Sequence, residues 1–241
     1  MTEKELGGRI DIPPFCYYDD IQNIIDTISE EHLGFSKKWV SGKSDLLNLN
    51  QRQIRHIFNI NNELRINTFD SKFLRQIITY TSDLYALTAS LDLEYNYTKY
   101  DLRSRIKEPS SIMNKIIHYR FGKEGKGKYA INKCLNDLFG LRIVIEGFDH
   151  NCILFEKMFT DIKDSLKEFR INIKHTRQFK GGYKATHIYF HGDSNKYFPW
   201  ELQIWNKDDF KMNDESHERY KQEYTKWAKI HKSDTEHERG S

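Results

Sequence analysis

A carboxylate and an amide stand two residues apart in the stretch 200–205, which runs Trp-Glu-Leu-Gln-Ile-Trp. The alternation of large apolar residues with Glu201 and Gln203 predicts a β-strand whose two faces differ. The apolar residues at 200, 202 and 204 would face a core, whereas Glu201, Gln203 and Trp205 would share the opposite face. Burying a carboxylate is costly unless a metal ion or a cation balances its charge. Glu201 is therefore a candidate for chemistry.

The segment 105–115 carries side chains suited to binding phosphate groups. Arg105 and Lys107 would lie on one side of an extended stretch, and Lys115 follows Ser111 by about one helical turn. The amides at a helix N-terminus attract anions, and nearby Lys and Ser side chains strengthen that attraction. This segment predicts a cradle for a triphosphate.

Asp137 precedes a predicted strand that carries Arg142. Alternation along this strand directs Arg142 away from the Leu141 and Ile143 face, so it could stack on a base or pair with a phosphate. Asp137 and Glu201 would be two carboxylates that hold Mg²⁺, an ion that completes its shell with water and phosphate oxygens.

Two glycines precede Tyr183 at the start of another predicted strand. Glycine allows close backbone approach there, and Tyr183 shares a strand face with His187, four residues on. An exposed tyrosine ring can stack on a base. Taken singly, each of these segments also has an ordinary structural explanation: a cap, a hairpin turn or an edge residue.

The helices and strands that must position these residues can be predicted from the sequence, and their order indicates an α/β (α+β) fold. Helices are predicted near residues 18–31, 45–65, 70–91, 111–119, 129–136, 150–168 and 208–230. Strands are predicted near residues 138–146, 171–178, 183–191 and 197–205. A mixed sheet of about four or five strands flanked by helices is the expected architecture. Residues 1–100 would form a helical flank with an irregular lead-in, residues 101–232 the α/β domain, and residues 233–241 a disordered tail.

Charge is distributed unevenly along the 241 residues, whose formal net charge is +3. Between Arg103 and Arg142 ten Lys or Arg residues stand against three acidic residues, a local charge of +7. Such a block, with a mobile basic loop at 121–128, is either a phosphate-binding surface or a solvated helix face.

The sequence has no apolar run near the ~20 residues that span a bilayer. Its first residues include Glu3, Glu5 and Asp11 and lack the apolar centre of a signal peptide, which favours a cytoplasmic protein without a membrane partner. The cysteines are three in number, an odd count, and lack metal-ligand spacing: Cys16, Cys134 and Cys152. They indicate buried or unused thiols.

In their order along residues 100–225, the four segments resemble the RelA/SpoT-type alarmone synthetases, which have a nucleotidyltransferase-like domain. The matching motifs are Arg105-x-Lys107-x-x-x-Ser111-x-x-x-Lys115, Asp137-Leu-Phe-Gly-Leu-Arg142, Gly182-Tyr183-Lys184-x-x-His187 and Glu201-x-Gln203-Ile204. This family transfers the β,γ-pyrophosphate of ATP to a ribose 3′-hydroxyl group. The resemblance implies a pyrophosphokinase that uses ATP as the donor.

The resemblance also assigns roles on the donor side. Arg105 and Arg142 would sandwich the adenine of ATP, while Lys107, Ser111 and Lys115 would hold its phosphates. The two carboxylates described above would hold the Mg²⁺ ion.

On the acceptor side, the resemblance makes Tyr183 the residue that stacks on the acceptor base and Glu201 the general base for the 3′-hydroxyl group. Asp137, Tyr183 and Glu201 are thus the expected catalytic residues. The expected acceptor-binding residues are Tyr183, Lys184, His187, Gln203, Trp205 and His217.

The sequence departs from the family pattern at Trp205. Members that make (p)ppGpp usually carry an Arg there, which helps to hold the acceptor phosphates, whereas a tryptophan can only stack. This departure resembles the toxic small alarmone synthetases, which modify the 3′-terminal CCA adenosine of tRNA and are paired with an antitoxin. Basic residues beyond the needs of one nucleotide support the same hypothesis: Lys123, Lys126, Lys128, Lys174, Arg177 and Lys180.

Two alternatives to the tRNA-modifying toxin stay open. One is a small synthetase that makes (p)ppGpp or (p)ppApp, and the other is an inactive RNA-binding module, which the basic block would suit. Hydrolase activity is not expected. The hydrolase of longer family members needs a His-Asp metal motif, and this chain has Asp149-His150 but no His-Asp pair.

Overall fold

The computed structural model describes residues 16–61 and 66–219. Its helices are α1 (Cys16–Val40), α2 (Ser71–Leu91), α3 (Leu93–Asn96), α4 (Pro109–Ile117), α5 (Ile131–Cys134) and α6 (Ile153–Ser165), and residues 210–219 are also helical. Its strands are β1 (Phe58–Asn61), β2 (Ile66–Phe69), β3 (Arg103–Ile106), β4 (Phe139–Ile145), β5 (Asn172–Lys180), β6 (Tyr183–His191) and β7 (Trp200–Asn206). Short 3-10 turns lie at Ile54–Ile57, Thr98–Tyr100 and Lys207–Asp209, and a π-helical turn lies at His118–Gly122.

A five-stranded sheet in the order β3-β4-β7-β6-β5 forms the centre of the molecule. The β4–β7 pair is parallel and the other pairs are antiparallel. This arrangement confirms the predicted mixed sheet flanked by helices. Because β4 and β7 are parallel neighbours, their first residues lie at the same edge of the sheet, and Gly140 pairs with Glu201.

One face of the sheet packs into a large apolar core. Helix α1 contributes isoleucines at helical spacing, among them Ile21, Ile24 and Ile28, which are fully buried. The ring of His32 stacks on Phe139 of β4 with centroids 5.9 Å apart. Burial of such apolar area is the main stabilising term in folding. The N-terminal helices and the sheet therefore share one core.

The opposite face of the sheet carries a second, smaller apolar cluster. Val144, Tyr183, Ala185 and Trp205 are buried there, and Phe210 packs against them. The predicted alternation of β7 is confirmed, since its residues 200, 202 and 204 belong to the large core. Residues 210–219 lie against the second cluster.

The predicted helix at 45–65 is wrong. The structure places a 3-10 turn there, followed by the hairpin strands β1 and β2. Tertiary hydrogen bonds override local helix propensity in this segment. The amide of Ile54 donates to the carbonyl of Tyr129 at 2.9 Å, and Gln53 forms a bridge with Ala130.

Two other helices differ from expectation at their ends. Helix α1 runs on to Val40, beyond the predicted end at 31. Helix α4 begins at Pro109, with Glu108 at the N-cap, so the proline starts this helix and Ser111 lies within its first turn. Proline suits the first turn because its missing N–H has no helical partner there. The predicted helix near 70–91 is confirmed, and the Asp70 carboxylate accepts from the amide of Lys72 at 2.8 Å.

The basic segment predicted as a mobile loop is tied to the chain around residue 55. The amide of Arg55 donates to the carbonyl of Gly127 at 2.9 Å, and the Arg120 guanidinium donates to the carbonyl of Lys126 at 3.2 Å. Gly127 has a φ of +80°, and an added Cβ would lie 3.0 Å from the Arg55 nitrogen. Glycine therefore permits both the backbone conformation and the close approach.

The predicted lead-in at 1–15, the helix beyond residue 219 and the C-terminal tail lie outside the described residues. Among the helices of the described chain, none is long and apolar enough to cross a membrane.

Candidate active site

The candidate site opens above Gly140, at the edge of the sheet where β4 and β7 both begin. In register across the strands, Arg105 pairs with Gly140, Gly140 with Glu201, and Glu201 with Tyr189. A Cβ added to Gly140 would lie 4.0 Å from Oε2 of Glu201. With glycine at 140, no side chain of β4 covers this carboxylate, and the region around Gly140 on this face of the sheet is here named the cleft.

One end of the cleft is formed by Lys107, Lys115, Asn136 and Asp137, here named the lysine end. Nζ of Lys107 donates to Oδ2 of Asp137 at 2.8 Å, and Nζ of Lys115 donates to Oδ1 at 3.0 Å. Lys115 also donates to Oδ1 of Asn136 at 3.3 Å. Extended β3 leads to Lys107 and helix α4 presents Lys115, so two elements bring their ammonium groups to one carboxylate.

Charge balance at the lysine end favours binding of an anion. Burial raises the pKa of Asp137, but the two ammonium groups outweigh burial and hold that pKa well below its usual range. Burial lowers the pKa of Lys115, and Asp137 more than restores it, whereas burial prevails at Lys107 and its pKa is lowered. Two ammonium groups beside one carboxylate leave an excess positive charge, which suits phosphate oxygens.

The other end of the cleft is formed by Tyr183, His187, Glu201 and Gln203, here named the glutamate end. Glu201 is buried, with 5% of the residue exposed. Nδ1 of His187 lies 2.7 Å from its Oε1, and Nε2 of Gln203 donates to its Oε2 at 2.8 Å. The Tyr183 hydroxyl lies 2.9 Å from Nε2 of His187. A histidine with its proton on Nδ1 donates to Glu201 and accepts from Tyr183, which satisfies all three groups.

Glu201 is ionised in this setting. Burial raises its pKa, but the hydrogen bond and charge of His187 lower it further than burial raises it, and the negative charge of Asp137 acts in the opposite direction. Both carboxylates are therefore anions, and they are near enough for the charge of Asp137 to act on Glu201. Their hard oxygen donors fit Mg²⁺, which needs few protein ligands. No cluster of three or more metal-ligating residues occurs within the described residues.

The two arginines predicted to hold a base lie on the same face of the sheet as the cleft. Arg105 is exposed, and Arg142 is half-buried. The guanidinium of Arg142 lies over the ring of Trp205, with 4.4 Å between its Cζ and the ring centroid. Arg103, which the sequence had not singled out, pairs with Arg142 in register. Ser111 is partly exposed in the first turn of α4.

The side chain of Trp205 is buried among other aromatic rings. The residue is 0% exposed. The rings of Tyr183, Phe210 and His217 surround it at centroid distances of 6.0, 5.9 and 5.9 Å. The indole is therefore enclosed in the structure, and the stacking of Trp205 on an acceptor base or ribose stays a prediction.

Of the other predicted acceptor residues, one lies away from the cleft. Lys184 follows Tyr183 on β6, so its side chain leaves the opposite face of the sheet, where its Nζ lies 3.2 Å from Oδ1 of Asp209. Tyr183 is buried at the glutamate end, and the ring of His217 lies 6.0 Å from it. The structure thus brings His217 near the site and leaves Lys184 outside it.

Two polar residues at the site, Asn136 and Tyr189, were missed in the sequence. Asn136 supports Lys115, and Tyr189 lies beside Glu201, where burial and then the Glu201 charge raise the pKa of its hydroxyl. Tyr189 follows His187 by two residues, so the strand period could have identified it. Buried Asn213 exchanges hydrogen bonds of 2.7 and 2.8 Å with the backbone of Lys184.

Comparison with solved structures yields several proteins of low identity. The small alarmone synthetase 1 from Bacillus subtilis is 15% identical over 70% of this chain and 93% of its own, with a TM-score of 0.32. A GTP pyrophosphokinase family protein from Streptococcus pneumoniae is 18% identical over 69% and 89%, with a TM-score of 0.36. The Type VI effector Tas1, solved with its immunity protein, is 16% identical over 56% and 60%, with a TM-score of 0.28. Likeness at this level carries no argument about activity.

The comparison with protein families is decisive. The family model described as the region found in RelA / SpoT proteins matches residues 104–225, more than half of the chain. The match includes both ends of the cleft. Curated proteins give no significant match. The chain belongs to the RelA/SpoT family, and transfer of pyrophosphate from a nucleotide is its reaction class.

Proposed function

We propose that this protein transfers the β,γ-pyrophosphate of ATP to the ribose 3′-hydroxyl at the CCA end of tRNA. The observation that carries the reaction is the pair of ionised carboxylates in one cleft. Asp137 stands between two ammonium groups, whereas Glu201 is held by the imidazole of His187 and the amide of Gln203. The first arrangement suits a polyphosphate and the second suits acceptance of a proton.

The donor would occupy the lysine end. Lys107, Lys115 and the first turn of α4 at Ser111 would hold the phosphates, and Arg105 with Arg142 would hold the adenine. A Mg²⁺ ion bound by Asp137 and Glu201 would neutralise charge that develops on the phosphates. Positioning and neutralisation of charge are the main requirements of this type of transfer.

The acceptor hydroxyl would lie at the glutamate end. Its oxygen forms a bond to the β-phosphorus of ATP while the bond from that phosphorus to the α,β-bridging oxygen breaks, so that AMP leaves. Glu201 takes the hydroxyl proton as general base. His187 and Gln203 donate to different oxygens of Glu201 and so fix its orientation.

The lack of a cation at position 205 to bind acceptor phosphates favours a tRNA acceptor. Position 205 holds a buried tryptophan instead of a cation, and Lys184 lies on the reverse face. The terminal adenosine of tRNA has a free 3′-hydroxyl and no 3′-phosphate or 5′-polyphosphate of its own. A site without a clamp beside Trp205 therefore suits this acceptor better than GDP or GTP.

A basic surface beside the lysine end supports a polynucleotide partner. It consists of Arg52, Arg55, Arg120, Lys123, Lys126, Lys128 and Lys133. Within the described chain none of these seven forms an ion pair with a carboxylate. Lys123 lies over the ring of Tyr119 at 4.1 Å, and burial followed by the charge of Lys115 lowers its pKa. Uncompensated cations with interleaved tyrosines fit an RNA backbone and its unstacked bases.

Blocking the end of tRNA would stop aminoacylation, so the proposed activity is that of a cytoplasmic toxin held in check by an antitoxin protein. Expression of the wild-type chain alone should arrest translation and growth. Expression of the Glu201→Gln variant should be harmless.

The deciding experiment offers all acceptors to the purified protein at once. ATP labelled in the γ-phosphate is incubated with total tRNA, GDP, GTP and adenine nucleotides, and the products are separated. Label on full-length tRNA is expected, with none on tRNA that lacks its terminal adenosine. Label on GDP or GTP with unlabelled tRNA would overturn the proposed acceptor while leaving the reaction class intact.

The second candidate is a synthetase of (p)ppGpp or (p)ppApp. Lys174 and Lys180 of β5 are exposed and pair in register with Tyr189 and Tyr183, on the face of the cleft. Two such cations could bind the phosphates of a nucleotide acceptor. The same labelling experiment separates this candidate from the first. An inactive RNA-binding module would label nothing, and its toxicity would persist in Glu201→Gln.

A further inference from the structure

Trp205 occupies the position from which the family pattern leads one to expect acceptor contacts, yet it lies beneath Arg142. We propose that Trp205 is a positioning residue for Arg142 and hence for the base of the donor nucleotide. The proposal rests on the proposed function, because it takes Arg142 as a side chain that holds adenine. On this proposal, the tryptophan that replaces the usual family arginine at position 205 affects binding of the donor and not of the acceptor.

The geometry is that of a guanidinium seated on an aromatic surface. Cζ of Arg142 lies 4.4 Å from the centroid of the Trp205 ring and 5.8 Å from that of Phe210. Tryptophan is the strongest aromatic partner for a cation, and the planar guanidinium stacks on it. With one side on the indole, only the opposite side of the guanidinium is available to a ligand.

No ion pair competes for this guanidinium. Within the described residues no carboxylate forms a salt bridge with Arg142, and Asp101 and Asp214 act on it only as more distant charges. Burial and the charge of Arg103, its partner in register, both lower the pKa of Arg142. The aromatic seat is therefore the contact that fixes the plane of the guanidinium.

The seat itself is held from the side away from the ligand. Tyr183 meets the Trp205 ring edge-on, at an interplanar angle of 89°. Phe210 and His217 close the remaining sides from residues 210–219, which Asn213 anchors to the backbone of Lys184. These contacts leave the indole little freedom to turn, so it can present one surface to Arg142.

The test compares Trp205→Phe with Trp205→Leu. Both remove volume from the same buried site, but only phenylalanine keeps an aromatic face for the cation. Binding of the ATP analogue AMPCPP, measured by calorimetry without an acceptor, should weaken about 10-fold in Trp205→Leu and no more than about 3-fold in Trp205→Phe. Trp205→Arg should weaken binding most, because it places like charges in contact.

The Arg142→Ala variant separates the two proposals. It should weaken AMPCPP binding strongly, and adding Trp205→Leu to it should cause no further loss, because the contact is already gone. Unchanged binding in Arg142→Ala would refute the donor role of Arg142. If Arg142→Ala loses binding while Trp205→Leu keeps wild-type affinity, only the positioning role fails.

Stability provides the remaining control. If Trp205→Leu unfolds, Phe210→Leu removes the more distant ring of the seat and should weaken AMPCPP binding about 2-fold. The KM for the acceptor should stay within about 2-fold of wild type in both Trp205→Phe and Phe210→Leu. A rise in that KM with unchanged AMPCPP affinity would return Trp205 to the acceptor side.

Discussion

The two ends of the cleft hold their carboxylates by different means. At the lysine end Asp137 lies between two ammonium groups, and both contacts are ion pairs. At the glutamate end Glu201 accepts from an imidazole and an amide, and a tyrosine hydroxyl stands behind the imidazole. Both carboxylates are ionised, but only the first is surrounded by permanent opposite charge.

This difference separates binding from chemistry. A carboxylate between two lysines is poorly placed to take a proton, because protonation would leave both ammonium groups without their counter-ion. Glu201 has one imidazole and one amide beside it instead of two ammonium groups, so it can accept a proton at smaller electrostatic cost. The lysine end is therefore suited to anchoring a polyanion, and the glutamate end is suited to activating a hydroxyl group.

The largest effect is expected from Glu201→Gln, which removes the proton acceptor and keeps the shape of the side chain. We expect kcat to fall about 10³-fold. AMPCPP affinity measured without Mg²⁺ should change less than about 3-fold, because the lysine end is untouched. Quench-flow kinetics with labelled ATP measures the first quantity and calorimetry the second. A loss of less than 10-fold in kcat would assign the base to another group.

At the lysine end the largest effect is expected on stability. Lys115→Met should lower the free energy of unfolding by about 3 kcal/mol, since it leaves a partly buried carboxylate with one cation fewer. Lys107→Met should cost less, because burial already lowers the pKa of that lysine. Urea denaturation of the two variants provides the comparison. Equal losses would mean that the two ion pairs are equivalent.

At the glutamate end two substitutions of His187 separate its two hydrogen bonds. Asparagine can place a donor near the former Nδ1 and keep the contact with Glu201, whereas glutamine reaches only the position of Nε2. We expect kcat to fall about 30-fold in His187→Gln and about 5-fold in His187→Asn, as a hydrogen bond to a charged group is worth about 2 kcal/mol. The reverse order would show that the Tyr183 contact is the important one.

The smallest expected effect is on the pH dependence of stability. Protonation of the two carboxylates should lower the free energy of unfolding in acid. Both pKa values are lowered on folding, so both groups contribute stability above their unfolded values of about 4. That contribution is lost as the pH falls toward the folded values. In unfolding measurements from pH 7 to 3, the contribution of these two groups to the free energy of unfolding should therefore be constant above about pH 5 and decrease below it. Asp137→Asn should flatten the acid limb more than Glu201→Gln, since two cations act on Asp137.

Much of the site could be predicted because strand alternation fixes which face a side chain takes. That rule placed Glu201 and Gln203 opposite the large core, as observed. The same rule already implied that Lys184 leaves the other face from Tyr183, although neighbouring positions in a motif suggested a shared role. The strands near 183–191 and 197–205 were located to within a few residues.

The burial of Trp205 could not be predicted in the same way. Alternation gives the face of a strand but not what covers that face, and here residues 210–219 cover it through the backbone contacts of Asn213. The hairpin of β1 and β2 was missed for a related reason. The segment that leads into this hairpin is fixed by hydrogen bonds with residues more than 70 positions away, such as the bond of Ile54 with Tyr129.

The shared core has a consequence for how this protein can be inherited. The family match begins at residue 104, but the packing does not stop there: Tyr80 lies 4.6 Å from Phe198, and His32 stacks on Phe139. A gene fragment that encoded only the matched region would yield a sheet with one apolar face uncovered. The catalytic half is thus not a module that recombination can move alone. The N-terminal helices must be inherited together with the sheet. Substitutions in those helices are constrained because they pack against the sheet face opposite the active site.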